Sequence, residues 1–246
     1  MKLRSVVTGL LLTCTYAAHA ADHAPHWGYG GERGPAKWGD MEADFAACKL
    51  GKEQSPIDIR NAQQSALPAL DFKYAASGGD LVNNGHTIQV NLAEGGVLTL
   101  DGVPYKLVQF HFHTPSEEKI NGKAYPMEAH LVHQNADGKL AVVAVMFKEG
   151  KANAALDPIF KSLPHTEGSK KALAANLDAA ALLPAEHGYF KYIGSLTTPP
   201  CSEGVRWQVL KQPLEVSKSQ IAAFHKLYSM NARPVQPLNG RKVEEN

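Results

Sequence analysis

The chain has 246 residues, 44% of them hydrophobic and 20% charged, enough to bury the core of one globular domain. A formal net charge of +1 supplies neither a basic nor an acidic field, so nucleic acid and charged surfaces are not expected partners. Eleven histidines are a high count, and they matter only where some of them converge.

In chain order, the first stretch stands apart. Lys2 and Arg4 precede the apolar run "VVTGLLLTC", and "AHA" at Ala18 to Ala20 offers small residues at a cleavage point. This is the layout of a secretory signal peptide over residues 1–20, its run too short to span a bilayer. The alternatives are an uncleaved amphipathic N-terminus and a lipid anchor at Cys14, which Thr13 fits poorly. No other segment approaches membrane-spanning length. The protein is therefore expected to be exported, periplasmic or else secreted, with no stable membrane association after cleavage and residues 21–246 as one domain. Two cysteines then remain, Cys48 and Cys201. In an oxidising compartment they suggest a disulfide; the alternative, a thiolate metal pair, lacks a CxxC.

"HWGYGGERGPAKWGD" reads as an irregular segment packed by Trp27, Tyr29 and Trp38. In "QSPIDI", Pro56 argues against a central strand. "LVNNGHTIQVNL" holds an Asn-Gly turn before an alternating run, and "GGVLTLDGVPYKLVQFHFH" reads as strand, Asp-Gly turn and strand. "YPMEAHLVHQNADGKLAVVAVMFKEG" reads as a hairpin. Helices are expected in "NAALDPIFKSL", "KKALAANLDAAALL" and "SKSQIAAFHKLYS", the last with Ser217 capping and Gln220 three residues on. The sum is a single, mainly β domain with short peripheral helices.

On a strand, alternate side chains share a face, so His111 and His113 point one way and Phe110 and Phe112 the other. His130 on the neighbouring strand can meet the two imidazoles, whereas His133, an odd step further, faces away. Three nitrogens leave a fourth position for water, the open arrangement of a catalytic Zn2+. Gln109 and Glu128 each stand two residues before a histidine, placed to accept from its free ring N–H and fix its tautomer.

These motifs resemble the α-class carbonic anhydrases, of the bacterial, exported type. "HWGYG", "QSPIDI", "NNGH", "QFHFH", "PSE", "YPMEAHLVH", "GSLTTPPCSEGVRW" and "RPVQPLNGR" occur in family order from His26 to Arg241. The resemblance implies a catalytic domain over 21–246 around a twisted, largely antiparallel sheet of about ten strands. It implies reversible hydration of carbon dioxide to bicarbonate by attack of zinc-bound hydroxide, with His111, His113 and His130 as ligands. Thr197 then resembles the hydroxyl that orients the hydroxide while donating to Glu117, and Glu118 occupies a position where relatives often carry His. Val132, Val142, Leu196 and Trp207 match the apolar wall of the substrate pocket, and Thr198 matches a second polar contact. His86 resembles the proton shuttle, and Tyr29, Asn84 and Gln89 match the residues that arrange its water wire, with Gln89 where Asn is common. Cys48 and Cys201 match a disulfide that ties the N-terminal region to the Thr197 loop. Inhibition by sulfonamides and anions is expected, as is side activity on esters. The rival readings are a non-catalytic binding relative, a zinc esterase and a zinc carrier.

Overall fold

The computed structural model describes residues 26–246, so the expected signal peptide lies outside the described residues. The first strands are β1 (Asp58–Ile59), β2 (Gln63–Gln64), β3 (Asp71–Tyr74), β4 (Gly79–Asn83) and β5 (Ile88–Leu92). The centre of the chain supplies β6 (Gly96–Leu100), β7 (Val103–His113), β8 (Lys119–Ile120), β9 (Met127–Gln134) and β10 (Leu140–Glu149). The last third adds β11 (Lys170–Ala172), β12 (Tyr189–Ser195), β13 (Glu203–Leu210), β14 (Leu214–Val216) and β15 (Glu244–Glu245). Among the described residues four short α-helices accompany them: α1 (Trp38–Met41), α2 (Ala47–Leu50), α3 (Asp157–Phe160) and α4 (Lys218–His225).

One path of ten strands runs β11-β4-β5-β7-β9-β10-β13-β12-β15-β2, with β3, β6 and β14 attached beside it. Pairing along it is antiparallel except at β10/β13 and β15/β2. The expected mainly β fold around a largely antiparallel sheet is thus what the chain adopts.

The turns that make this possible sit where the sequence puts them. Asp101 and Gly102, both at positive φ, reverse the chain between β6 and β7, and Gly85 at φ +85° does so between β4 and β5. Asp101 shows that Asp tolerates the left-handed region that most side chains avoid.

The central strands are buried on both faces. One face of the sheet packs Leu81, Val90, Phe110, Phe112, Leu131, Val143 and Val145 with Phe224 of α4. Burying a phenylalanine such as Phe110 or Phe112 contributes about 1.5–3 kcal/mol. The other face packs Ile57, Val132, Val142, Met146, Tyr192, Trp207 and Val209.

A bulge in β7 lets one strand serve both faces. Leu107 pairs with His133 and Gln109 with Val132, so Val108 is left unpaired and 43% exposed. Before the bulge the odd-numbered Tyr105 and Leu107 enter the same core as the even-numbered Phe110 and Phe112 after it. An extra residue in a strand reverses its inside–outside phase. Val108 therefore turns Gln109, His111 and His113 away from the core that Leu107 joins.

Helix α4 forms as expected: Ser217 accepts from the Gln220 N–H while the Gln220 side chain reaches back to the Ser217 N–H. "NAALDPIFKSL" yields a 3-10 turn, Ala154–Leu156, followed by α3. "KKALAANLDAAALL" is not a helix. Lys170–Ala172 pairs with β4, and only Ala179–Leu182 coils, as a 3-10 turn capped by the Asp178 side chain. Helix propensity here loses to the hydrogen-bonding groups of β4 and to Leu177, Ala179 and Leu182, which an extended path delivers to the core.

Candidate metal centre

Register across four strands assembles the site in rows. His111 lies opposite His130, and His130 opposite Ala144; Gln109, Val132, Val142 and Trp207 form the next row, and His113 faces Glu128. The three imidazoles converge, with ring centroids 5.0 Å (His111–His113), 5.4 Å (His111–His130) and 4.5 Å (His113–His130) apart. One donor nitrogen from each lies within 4.8 Å of the others. His133 points to the opposite side, where its Nε2 meets the Tyr74 hydroxyl at 2.6 Å.

The partners of each ring decide which nitrogen is free. His111 Nδ1 donates to Gln109 Oε1 at 2.9 Å, and His113 Nδ1 donates to the Asn231 carbonyl at 2.7 Å. Both therefore turn Nε2 inward. His130 turns Nε2 toward two carboxylates, Glu118 Oε2 at 3.4 Å and Glu128 Oε2 at 3.5 Å, which leaves Nδ1 facing the other rings. Burial holds His111 at about 3 and His113 well below its ordinary value, with the neighbouring imidazoles adding to the shift. Burial also opposes the charged form of His130, but Glu128 and Glu118 outweigh it and raise that ring well above 6.5.

Three glutamates form the floor, all of them buried. Glu117 accepts the Arg233 N–H on Oε1 at 2.7 Å and brings Oε2 to 3.4 Å from His113 Nε2 and 3.8 Å from His130 Nδ1. Burial and the charge of Glu118 push the Glu117 carboxyl up to about 7, against the pull of His130, the Arg233 N–H and the Thr197 hydroxyl. Glu128 was expected to serve His130. Its Oε2 also accepts the N–H groups of Glu117 at 2.8 Å and Glu118 at 3.3 Å, because the turn after His113 folds its backbone over that carboxylate. Glu118 shares the task at His130, and its Oε1 accepts the Tyr192 hydroxyl at 2.8 Å.

A cavity of about 240 Å³ opens over the imidazoles. Val132, Val142, Leu196 and Trp207 make its apolar side, and Thr197 and Thr198 stand beside them. Tyr29, Asn84, His86 and Gln89 also line the cavity. His86 stacks on Trp27 with centroids 3.5 Å apart and planes 8° from parallel. Burial, followed by the charge of His26, lowers its pKa from 6.5. Asn84 Oδ1 accepts the N–H groups of His86 and Thr87, and Gln89 donates to Asn91 Oδ1 at 2.6 Å.

Cys48 and Cys201 are disulfide-bonded, with Cα atoms 5.0 Å apart. Cys201 N–H donates to the Thr198 carbonyl at 2.8 Å, so the bond anchors the loop that presents Thr197 and Thr198.

Every site residue read from the sequence thus lines or supports one cavity. Missing from that reading were Asn231, Arg233 and Tyr192, and the place of Glu118. Asn231 meets His113, and Arg233 meets Glu117, through backbone groups, which leave no side-chain signature. A cation suits the donor set: His113 Nε2 and Glu117 Oε2 are buried without a hydrogen-bond partner, and three imidazole nitrogens with one open side match a catalytic zinc position.

Residues 33–246 match the family described as eukaryotic-type carbonic anhydrase. A carbonic anhydrase of Pectobacterium carotovorum is 45% identical over 235 residues, covering 95% of this chain and 96% of that protein. One from Neisseria gonorrhoeae is 46% identical over 239 residues, covering 96% and 94%. Among solved structures, the α-carbonic anhydrase of Thermovibrio ammonificans in complex with the inhibitor sulfanilamide superimposes with a TM-score of 0.88 at 48% identity. That match covers 89% of this chain and 98% of the other.

Proposed function

The chain belongs to the α, eukaryotic-type carbonic anhydrase family, and from that premise we propose that it interconverts carbon dioxide and bicarbonate at a Zn2+ held by His111, His113 and His130. The observation that carries the reading is the convergence of three imidazole nitrogens under an apolar wall. Zn2+ supplies Lewis acidity that makes water a nucleophile at neutral pH, a role for which carbonic anhydrases are the type case.

The protein's own groups do the rest. Gln109 and the Asn231 carbonyl hold two rings with Nε2 inward, and Glu118 with Glu128 holds the third with Nδ1 inward. Glu117, fixed by the Arg233 N–H, accepts a hydrogen bond from the Thr197 hydroxyl, so the Thr197 oxygen accepts from the reacting water and aims its lone pair. Val132, Val142, Leu196 and Trp207 receive carbon dioxide, which is neutral and poorly hydrated, and Thr198 contacts the polar product. His86 carries the released proton outward, over a path ordered by Tyr29, Asn84 and Gln89.

The same cavity would bind sulfonamides, as the Thermovibrio ammonificans enzyme binds sulfanilamide, and small anions, and would act weakly on activated esters. Export to the periplasm, or secretion, is part of the proposal; the N-terminal sequence and the disulfide support it.

Stopped-flow hydration of carbon dioxide with metal analysis of the same sample tests the reading. Fast hydration with about one zinc per chain, lost in His113→Ala, is the expected result. Thr197→Ala should retain the metal and lose roughly 10²-fold in kcat. Bound zinc without hydration, or hydration indifferent to Thr197, would move the function to a zinc carrier or another substrate.

A further inference from the structure

The rim of the cavity carries a second histidine. His86 lines the inner cavity and also an outer one of about 430 Å³, and His26 lines the outer one alone. Their ring centroids are 5.5 Å apart. His26 is 53% exposed at its side chain, yet both ring nitrogens are anchored, Nδ1 to the Trp27 carbonyl at 3.0 Å and Nε2 to Glu167 Oε1 at 3.0 Å.

Glu167 is placed there by the fold. It comes from a loop 141 residues further on, which is tied down by the Gly168 N–H donating to the Asn83 carbonyl at 2.8 Å. Its carboxylate lies over Gly85, where any Cβ would collide with it. The turn that presents His86 is thus shaped to admit the partner of His26. The charged and titratable groups facing His26 are Glu167, Arg33 and His86; those facing His86 are His26 and Glu167, and Tyr228 adjoins Glu167.

We propose that His26, held by Glu167, is a relay residue beyond His86, passing the reaction's proton from His86 to the buffer. The inference rests on the reading of the site as a carbonic anhydrase centre. Each station takes up one proton and gives up one: His86 receives it from the reacting centre and passes it through solvent to His26. His26 then releases it to a buffer base, which leaves protonated. The direction agrees with the electrostatics. Burial and the charge of His26 lower His86, while the hydrogen bond that His26 donates to Glu167 raises His26 above 6.5, so transfer outward runs downhill. In dehydration the exposed Glu167–His26 pair collects protons for His86.

The test is stopped-flow hydration on the zinc-loaded protein at saturating carbon dioxide, in dilute buffer and again with concentrated imidazole. His26→Ala should lower kcat several-fold in dilute buffer, leave kcat/KM at its original value, and recover kcat when imidazole is abundant. Glu167→Gln, which keeps the ring, should move the NMR titration of His26 to lower pH and shift the pH profile of kcat with it. An unchanged kcat for His26→Ala in dilute buffer, where His86→Ala is slow, would overturn the relay. So would a parallel fall in kcat and kcat/KM, the mark of a structural role. No hydration by the unaltered protein would instead overturn the functional reading, and the relay with it.

Discussion

At the scale of single residues, Tyr192 and Glu118 form a buried pair beneath His130. Glu118 is fully buried beside His130, and the Tyr192 hydroxyl, itself 3.2 Å from Ser55 Oγ, is the donor to its Oε1. Tyr192→Phe leaves that oxygen buried without its partner, a loss of about 1–3 kcal/mol. Denaturant unfolding would register it as a lower midpoint at unchanged slope; an unchanged midpoint would show that Glu118 finds another donor. Gln109 was legible because its relation to His111 is local, two residues along one strand. The acceptor for His113 is a main-chain carbonyl 118 positions away, and no residue type announces it. Local geometry can be read from spacing, whereas contacts across the fold require the fold.

At the scale of the element, the bulge at Val108 decides what β7 presents. Alternation from Gln109 onward identified the histidine face correctly, but continued backward it puts Leu107 on that face too, whereas Leu107 is in the core. Deleting Val108 joins Leu107 directly to Gln109, so plain alternation keeps Tyr105 and Leu107 in the core and the histidines on the other face. The deletion should therefore still fold and bind zinc, and Val108→Thr, at an exposed position, should change stability by no more than about 0.5 kcal/mol. Metal analysis and thermal melting check both; a deletion variant that loses zinc would show that the local twist of the bulge, and not the alternation alone, aims the histidines. The segment 170–183 failed in the other direction. Its alanines and leucines have helix composition, but the unpaired groups of β4 and the core beneath outweighed propensity.

For the whole molecule, the sequence conveyed a mainly β domain and its hairpins, since neighbouring strands in the chain pair through short turns. It carried no sign of the parallel β10/β13 contact, which brings Trp207 beside Val142 across more than sixty residues. The Cys48–Cys201 bond spans 153 positions and joins α2 to the Thr197 loop. Closing a loop of that size contributes about 5 kcal/mol in the chain-entropy model. Reduction should lower the melting temperature and cut hydration while the histidines on β7 and β9 still hold zinc. Full activity after verified reduction would show that the loop keeps its place unaided. The ten-strand path also ends in a particular way, with Lys170–Ala172 at one side and Gln63–Gln64 at the other. A strand from another molecule arriving at either end meets two or three rungs of ladder, at one side guarded by Lys170 and Lys171. So large an open sheet therefore presents scarcely any template at these edges for aggregation.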